Sequence, residues 1–485
     1  MSARTLGLSS RIAAACGIAA IAVTVAVAQQ APDRSKPPAL GPLPALNLPP
    51  IEKRKIPDGP EVWVVGLHKV PTVHLQWVNT FGGGGNGEPM LASLTAAMLD
   101  EGAGQRSALE IADTLDYLGA ELTTNSSWDA ASVDLHVPVA RLPEALPVMV
   151  DAIMRPTFPE AELDRLRKER LASLIEVEDD PEQLIRFAFS RLLYGTKHLY
   201  GTSMLGTAPA LHGVTTADLR NYHARHYRPL SLSVLVVAGD VAADAVMPLL
   251  TKAFGTGLPG GNPARLASPP PAQLDARHVY LIDKPEAAQS QIRMGWIGVP
   301  RSTPDFFAIR VLNTILGGAF TSRLNNNLRE VHGYAYGASS SFDMRRDNPG
   351  PFFAGAGVQT DKTAEALKEF FIELARIHEP VPPEEIEKAK NYLALQLPRN
   401  FETTRDVAGS LAQLHVYNLP PDYYATYADR VRAVTAADVK RAADQYIQPG
   451  KFAVVIVGDR KAIEPGIKSL NLGTVTVIDA AAVLK

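Results

Sequence analysis

Few side chains in this 485-residue chain stand at spacings that could do chemistry. His223 and His226, in "NYHARHY", are three apart and would share one face of a helix, where two imidazoles could begin a metal site. No third ligand is suggested nearby, so the plainer reading is two polar residues near a helix end. Asp100 and Glu101 form an acidic pair that reads as solvated rather than catalytic. Arg329 and Tyr336, in "LREVHGYAYG", are seven apart and carry donors that can hydrogen-bond a carbonyl oxygen as negative charge develops on it. Alone, that spacing carries no information. The single cysteine, Cys16, lies in an apolar N-terminal run, and no Gly-x-Ser-x-Gly elbow is present, so nucleophilic catalysis is not indicated.

The elements that must position such residues belong to an ordinary folded chain, with 46% hydrophobic and 20% charged residues. At about 150 residues per domain, two to four compact units fit its length. Residues 1–28 carry Arg4 and Arg11, then an apolar run from Ile12 that closes on Ala26-Val27-Ala28. This is the pattern of a cleaved secretory signal, and it predicts export across the inner membrane to the periplasm. An uncleaved anchor is the alternative, because the run approaches spanning length, and a lipoprotein Cys16 is a third reading. Membrane anchoring is not the expectation. Removing 1–28 takes two Arg and no acid from 48 Lys+Arg and 51 Asp+Glu, moving the formal charge from −3 to −5. A mildly acidic chain without a basic run is a poor nucleic-acid binder, and the mature form would hold no cysteine for a disulfide or thiolate metal site.

Residues 29–50 read as a Pro-rich tether and 257–276 as a Pro/Gly-rich linker, which leaves two nearly equal units, 51–256 and 277–485. The units repeat each other. "VTTADLRNYHARHYRPLSLSVLVVAGDV" (214–241) corresponds to "VTAADVKRAADQYIQPGKFAVVIVGDR" (434–460), and "RPTFPEAELDRLRKERLASL" (155–174) to "HEPVPPEEIEKAKNYLALQL" (378–397). "EVWVVGL", "TVHLQWVN" and "SVDLHVPV" alternate or cluster β-branched residues as strands do. "PEALPVMVDAIM", "EAELDRLRKERLASLIEVE" and "TADLRNYHARHY" have helical spacing, with Thr215 or Thr216 near a helix start. The predicted fold class is α+β, with one sandwich unit occurring twice.

These residues carry a resemblance. "HKVPTVHLQWVNTFGGGGNGEPMLASLTAAMLDEGAG" in the first unit and "LNTILGGAFTSRLNNNLREVHGYAYGASSSF" in the second are similar to the two domains of the insulinase-like metallopeptidases (M16, the pitrilysin and mitochondrial processing peptidase group). The resemblance covers nearly everything after residue 51 and implies two related domains forming half of a clam-like chamber. Active members carry His-x-x-Glu-His on the first helix: two His at i and i+4 bind zinc, and the Glu between them acts as base toward the metal-bound water. A third ligand, a Glu, follows roughly 75 residues later, closing the site. Aligned with that pattern, this chain places Ser93, Ala96 and Ala97 at the His, Glu and His positions and Ser173 at the third-ligand position. A shift of one turn would offer Glu176, which alone cannot hold zinc. The resemblance therefore implies no metal in this chain.

It also implies roles for Arg329 and Tyr336, which match an Arg and a Tyr of the family's second domain that hold substrate backbone and stabilise the oxyanion. The implied function is a noncatalytic subunit of a heterodimeric zinc endopeptidase. It would supply Arg329 and Tyr336 in trans to a partner that has the His-x-x-Glu-His motif and the zinc, and it would act on unfolded peptides. A peptide-binding or scaffolding pseudo-peptidase is the alternative, and an independent hydrolase with an unrecognised site is a third reading.

Overall fold

A computed structural model of the chain describes residues 48–255 and 269–484. The signal segment 1–28, most of the tether and the stretch 257–268 of the expected linker lie outside the described residues. Two six-stranded sheets form the frame. The first holds β1 (Glu52–Lys55), β2 (Glu61–Gly66), β3 (Thr72–Asn79), β6 (Glu121–Ser126), β7 (Ala131–Pro138) and β8 (Ser233–Gly239) in the order β1-β2-β8-β3-β7-β6; β4 (Gly102–Ala103) and β5 (Arg106–Ser107) make a small separate hairpin. The second holds β9 (His278–Asp283), β10 (Gln289–Ile297), β11 (Ala335–Phe342), β12 (Pro351–Gln359), β13 (Ala453–Gly458) and β14 (Thr474–Ile478) in the order β11-β12-β10-β13-β9-β14.

Read from opposite ends, the two orders coincide over five strands. In each, the late buried strand (β8 or β13) lies parallel to the first of the five (β2 or β9) and antiparallel to the second (β3 or β10). Only the outer strand differs, since β1 enters antiparallel to β2 whereas β14 returns parallel to β9. The α+β duplication read from the sequence is thus present in the topology.

The recurring Val-Thr-x-Ala-Asp has a local cause. Thr215 Oγ1 accepts the Asp218 amide (3.3 Å), and the Asp218 carboxylate accepts the Thr215 amide (2.9 Å), at the start of helix Thr216–His226. Thr435 and Asp438 make the same reciprocal pair (3.1 and 3.0 Å) at the start of helix Ala436–Tyr446. Each motif is a capping box that satisfies otherwise orphaned amides. The Gly-rich turn after β3 is set by close approach: a Cβ on Gly82 would stand 2.3 Å from the Ser127 carbonyl oxygen, and one on Gly84 2.7 Å from that of Trp128. The amides of Gly83 and Gly84 bond those same carbonyls, which fixes where helix Pro89–Ala97 begins.

The two halves exchange helices. Helix Pro181–Tyr194, from the first half, packs on β10 and β13 of the second sheet, placing Leu184, Ile185, Ala188 and Phe189 among Ile297, Val455 and Val457. Helix Thr404–Val416, from the second half, packs on β3 and β8 of the first sheet, so Val407, Ala408 and Leu411 share a core with Val78, Val234 and Val236. Residues 46–485 accordingly form one compact unit. Each sheet buries one face against a helix that the other half supplies.

Candidate functional site

Helix Pro89–Ala97 carries Ser93, Ala96 and Ala97, and helix Glu160–Asp179 carries Ser173, so the four positions aligned with the zinc motif lie on two neighbouring helices. What joins the helices here is a guanidinium. Arg170, one turn before Ser173, donates from Nη1 to Ser93 Oγ (2.9 Å), and Ser93 Oγ donates to the Met204 carbonyl (2.6 Å). Arg170 Nη1 also reaches that carbonyl at 3.4 Å. Burial pushes the Arg170 guanidinium down to about 10, and among the described residues no carboxylate pairs with it.

This donor set does not fit zinc. Ala96 and Ala97 offer methyl groups, and Ser93 has its hydroxyl committed and a cation already against it. Glu176 is exposed on the same helix as Ser173. Among the described residues, no group of three His, Cys, Asp or Glu is placed to hold a metal.

In the second half, Arg329 lies in a π-helical segment, Asn326–Val331, and Tyr336 at the start of the edge strand β11. The fold brings them together, with Arg329 Cζ 5.0 Å from the Tyr336 ring centroid and 4.6 Å from that of Phe320. Arg329 Nε meets Glu330 at 3.3 Å. Tyr336 is 87% exposed, Phe320 63% and Val331 66%. A row of apolar groups around a guanidinium is therefore presented outward, which is the form of a contact surface. A cavity of about 590 Å³ adjoins it, lined by Phe320, Asn326 and Glu330 and, on helix Pro383–Gln396, by Glu385, Lys388 and Tyr392.

The histidine pair is a core feature. His223 Nε2 donates to the Ile153 carbonyl (2.7 Å) and stacks on Tyr227, while His226 packs against Tyr222 and Phe81 with neither ring nitrogen bonded among the described residues. Burial pushes both imidazoles down to about 4, so both are neutral at pH 7. The acidic pair differs from the solvated reading. Asp100 is half-buried and its carboxyl is pushed up to about 6, first by burial and then by Glu101, whereas Glu101 is an ion-pair partner of Arg165.

Sequence reasoning missed Arg170 and Met204. A hint was available for Arg170, since an arginine one turn from the third-ligand position faces the same way as the ligand would. None existed for the Met204 carbonyl, a backbone group from a distant loop.

Two family models match the chain: "Insulinase (Peptidase family M16)" over residues 91–206 and "Peptidase M16 inactive domain" over 213–393, together well over half of it. An uncharacterized zinc protease of Mycobacterium leprae is 27% identical over 251 residues, 52% of this chain and 56% of that protein. A probable mitochondrial-processing peptidase subunit beta of Arabidopsis thaliana is 24% identical over 374 residues, 74% of this chain and 69% of that protein. The match spans only 56% to 64% of the length of the mycobacterial zinc proteases it resembles. Among solved structures, a peptidase M16 inactive domain from Pseudomonas fluorescens superposes with a TM-score of 0.77 at 27% identity, covering 84% of this chain and 98% of that one. A protease from Helicobacter pylori shares the fold at a TM-score of 0.75 and 21% identity, over 84% and 100% of the two chains. With both halves matched by models of one family and its duplicated fold in place, the chain belongs to the insulinase-like M16 peptidase family.

Proposed function

We propose that the chain is the noncatalytic, zinc-less subunit of a heterodimeric zinc metalloendopeptidase that degrades peptides. The observation that carries this reading is a contrast: an arginine stands against Ser93 of the positions aligned with the metal motif, while Arg329 is held beside the outward-facing Tyr336. The metal is assigned to a partner subunit with the His-x-x-Glu-His motif, which would supply the activated water. Arg329 and Tyr336 would donate to the carbonyl of an unfolded peptide and hold its oxygen as charge develops. The exposed Phe320 and Val331 beside them suit burial against the peptide or the partner. Two features support the reading further: residues 213–393, which include Arg329 and Tyr336, match a model described as an inactive domain, and a relative is named as one subunit of a processing peptidase. The N-terminal segment supports a periplasmic location.

The test is to purify the chain alone and with such a partner, and to measure zinc content and cleavage of a quenched peptide. The lone chain is expected to hold no zinc and to be inactive. The complex is expected to cleave, and Arg329→Ala or Tyr336→Phe in this chain to lower kcat by about 10²- to 10³-fold, as loss of an oxyanion donor does. Cleavage by a complex indifferent to both substitutions would favour a scaffolding role.

A further inference from the structure

A second cavity, of about 510 Å³, opens near the C-terminal end of helix Pro383–Gln396 and is bounded by helices Phe306–Asn313, Thr404–Val416 and Tyr423–Ala433. Three guanidiniums line it, Arg301, Arg310 and Arg405, against one carboxylate, Asp406. That carboxylate is spent locally, because it accepts the Thr403 amide (3.1 Å) and hydroxyl (2.6 Å) at the helix start. Arg405 turns to Glu121 at 2.7 Å. Arg301 and Arg310 make no ion pair among the described residues.

Arg301 is also pre-set. Its Cζ lies 3.6 Å from the Phe306 ring centroid, 5.4 Å from that of Tyr423 and 5.6 Å from that of Tyr417, and its Nη2 donates to the Tyr423 hydroxyl at 2.8 Å. Tyr423 Oη accepts that bond and keeps its own proton to donate. A guanidinium packed among rings has its fork fixed with little entropy left to lose, which is how proteins prepare for oxyanions. Gln413 and Gln396 add amide donors to the wall. None of these residues touches the Arg329 and Tyr336 surface described above.

We propose that this cavity is a binding site for a compact polyanion bearing phosphate groups, held by Arg301 and Arg310 with Tyr423. The wall includes Gly409, Ser410 and Gln413 of the helix that packs on the first sheet, so an occupant would tighten the junction of the halves. Binding there stabilises the whole chain by mass action.

The test uses the full chain and inorganic pyrophosphate at fixed ionic strength, read by calorimetry and by Tm. One saturable site and a rise in Tm are expected. Arg310→Gln, at an exposed position that leaves the core intact, and Arg301→Lys, which keeps the charge but not the fork, should each weaken binding by about tenfold or more. Arg220→Gln, at an exposed arginine of the first half, should leave it unchanged. Absence of saturable binding at millimolar pyrophosphate would overturn the proposal. So would affinities within twofold of the parent in both cavity variants, an equal loss in Arg220→Gln, or binding of citrate without binding of pyrophosphate.

Discussion

The same crevice occurs twice in this molecule and has been treated in opposite ways. In the first half it lies between helices Pro89–Ala97 and Glu160–Asp179, and Arg170, Ser93 and the Met204 carbonyl close it. In the second it lies between Phe306–Gly318 and Pro383–Gln396 and remains open as the cavity beside Arg329. Two differences account for this. Leu393 stands at the repeat position of Arg170 and is buried in the apolar core, so no long polar side chain crosses the gap. The segment after the exchanged helix is also longer in the first half, Gly195–Thr207, than in the second, Tyr417–Asp422, and only the longer one carries a carbonyl back to the crevice. Closing one copy and opening the other makes one half a frame and the other a surface.

The largest expected effect falls on the frame that both crevices share. Phe189, 1% exposed, belongs to the first half in sequence and to the core of the second sheet in space. Phe189→Ala should cost about 3–5 kcal/mol in denaturant unfolding, as truncation of a buried aromatic does. A loss below 1 kcal/mol would mean the exchanged helix contributes nothing to the second half.

The pH dependence comes next, and it is set by two groups of the first half. His226 sits in the first core with its pKa pushed down to about 4 from 6.5, so between those values the unfolded chain binds the proton and the folded one does not. Stability therefore falls as pH drops from 6.5 to 4. His226→Phe removes that site, and the loss over this window should shrink by about 2–3 kcal/mol. An unchanged pH profile would show that the ring titrates normally in the folded state. Asp100 has the opposite sign. Its folded pKa near 6 lies above the ordinary carboxyl value of 3.8, so the folded state binds the extra proton and stability falls as pH rises through that window. Asp100→Asn should gain about 1–2 kcal/mol at pH 7.5 and nothing below pH 4, measured by the same unfolding curves.

At the open crevice little change in folding is expected. Arg329→Ala and Tyr336→Phe should stay within about 0.5 kcal/mol of the parent, because Tyr336 is exposed and half-buried Arg329 meets Glu330 and the exposed rings of Phe320 and Tyr336 rather than the core. A larger loss would assign the pair to structure. The smallest expected effect is none: converting Ser93 and Ala97 to His and Ala96 and Ser173 to Glu should leave dialysed protein without zinc, since Arg170 and the Met204 carbonyl still occupy the crevice. Stoichiometric zinc in that variant would show the first crevice to be stripped rather than filled.

The duplication was legible because capping boxes and buried strands impose local residue types, and Thr215-x-x-Asp218 and Thr435-x-x-Asp438 must look alike to start their helices alike. The unsuitability of Ser93, Ala96, Ala97 and Ser173 as metal ligands was legible for the same reason, since it is a property of side chains. Contacts between distant segments were not. Arg170 could be read as one more charge on a polar helix, and Met204 as a loop residue, until folding set one beside Ser93 and the other above it. Likewise, seven residues of spacing between Arg329 and Tyr336 left the distance of guanidinium from ring undetermined, because a π-helical turn and an edge strand intervene. The sequence by itself determined the repeated unit, its helix starts and the absence of metal donors at the aligned positions, all of which depend on residues near in the chain. Only the tertiary structure decided which crevice is closed, that Arg329 meets Tyr336, and which helix covers which sheet, because those depend on groups that meet after the intervening chain has folded.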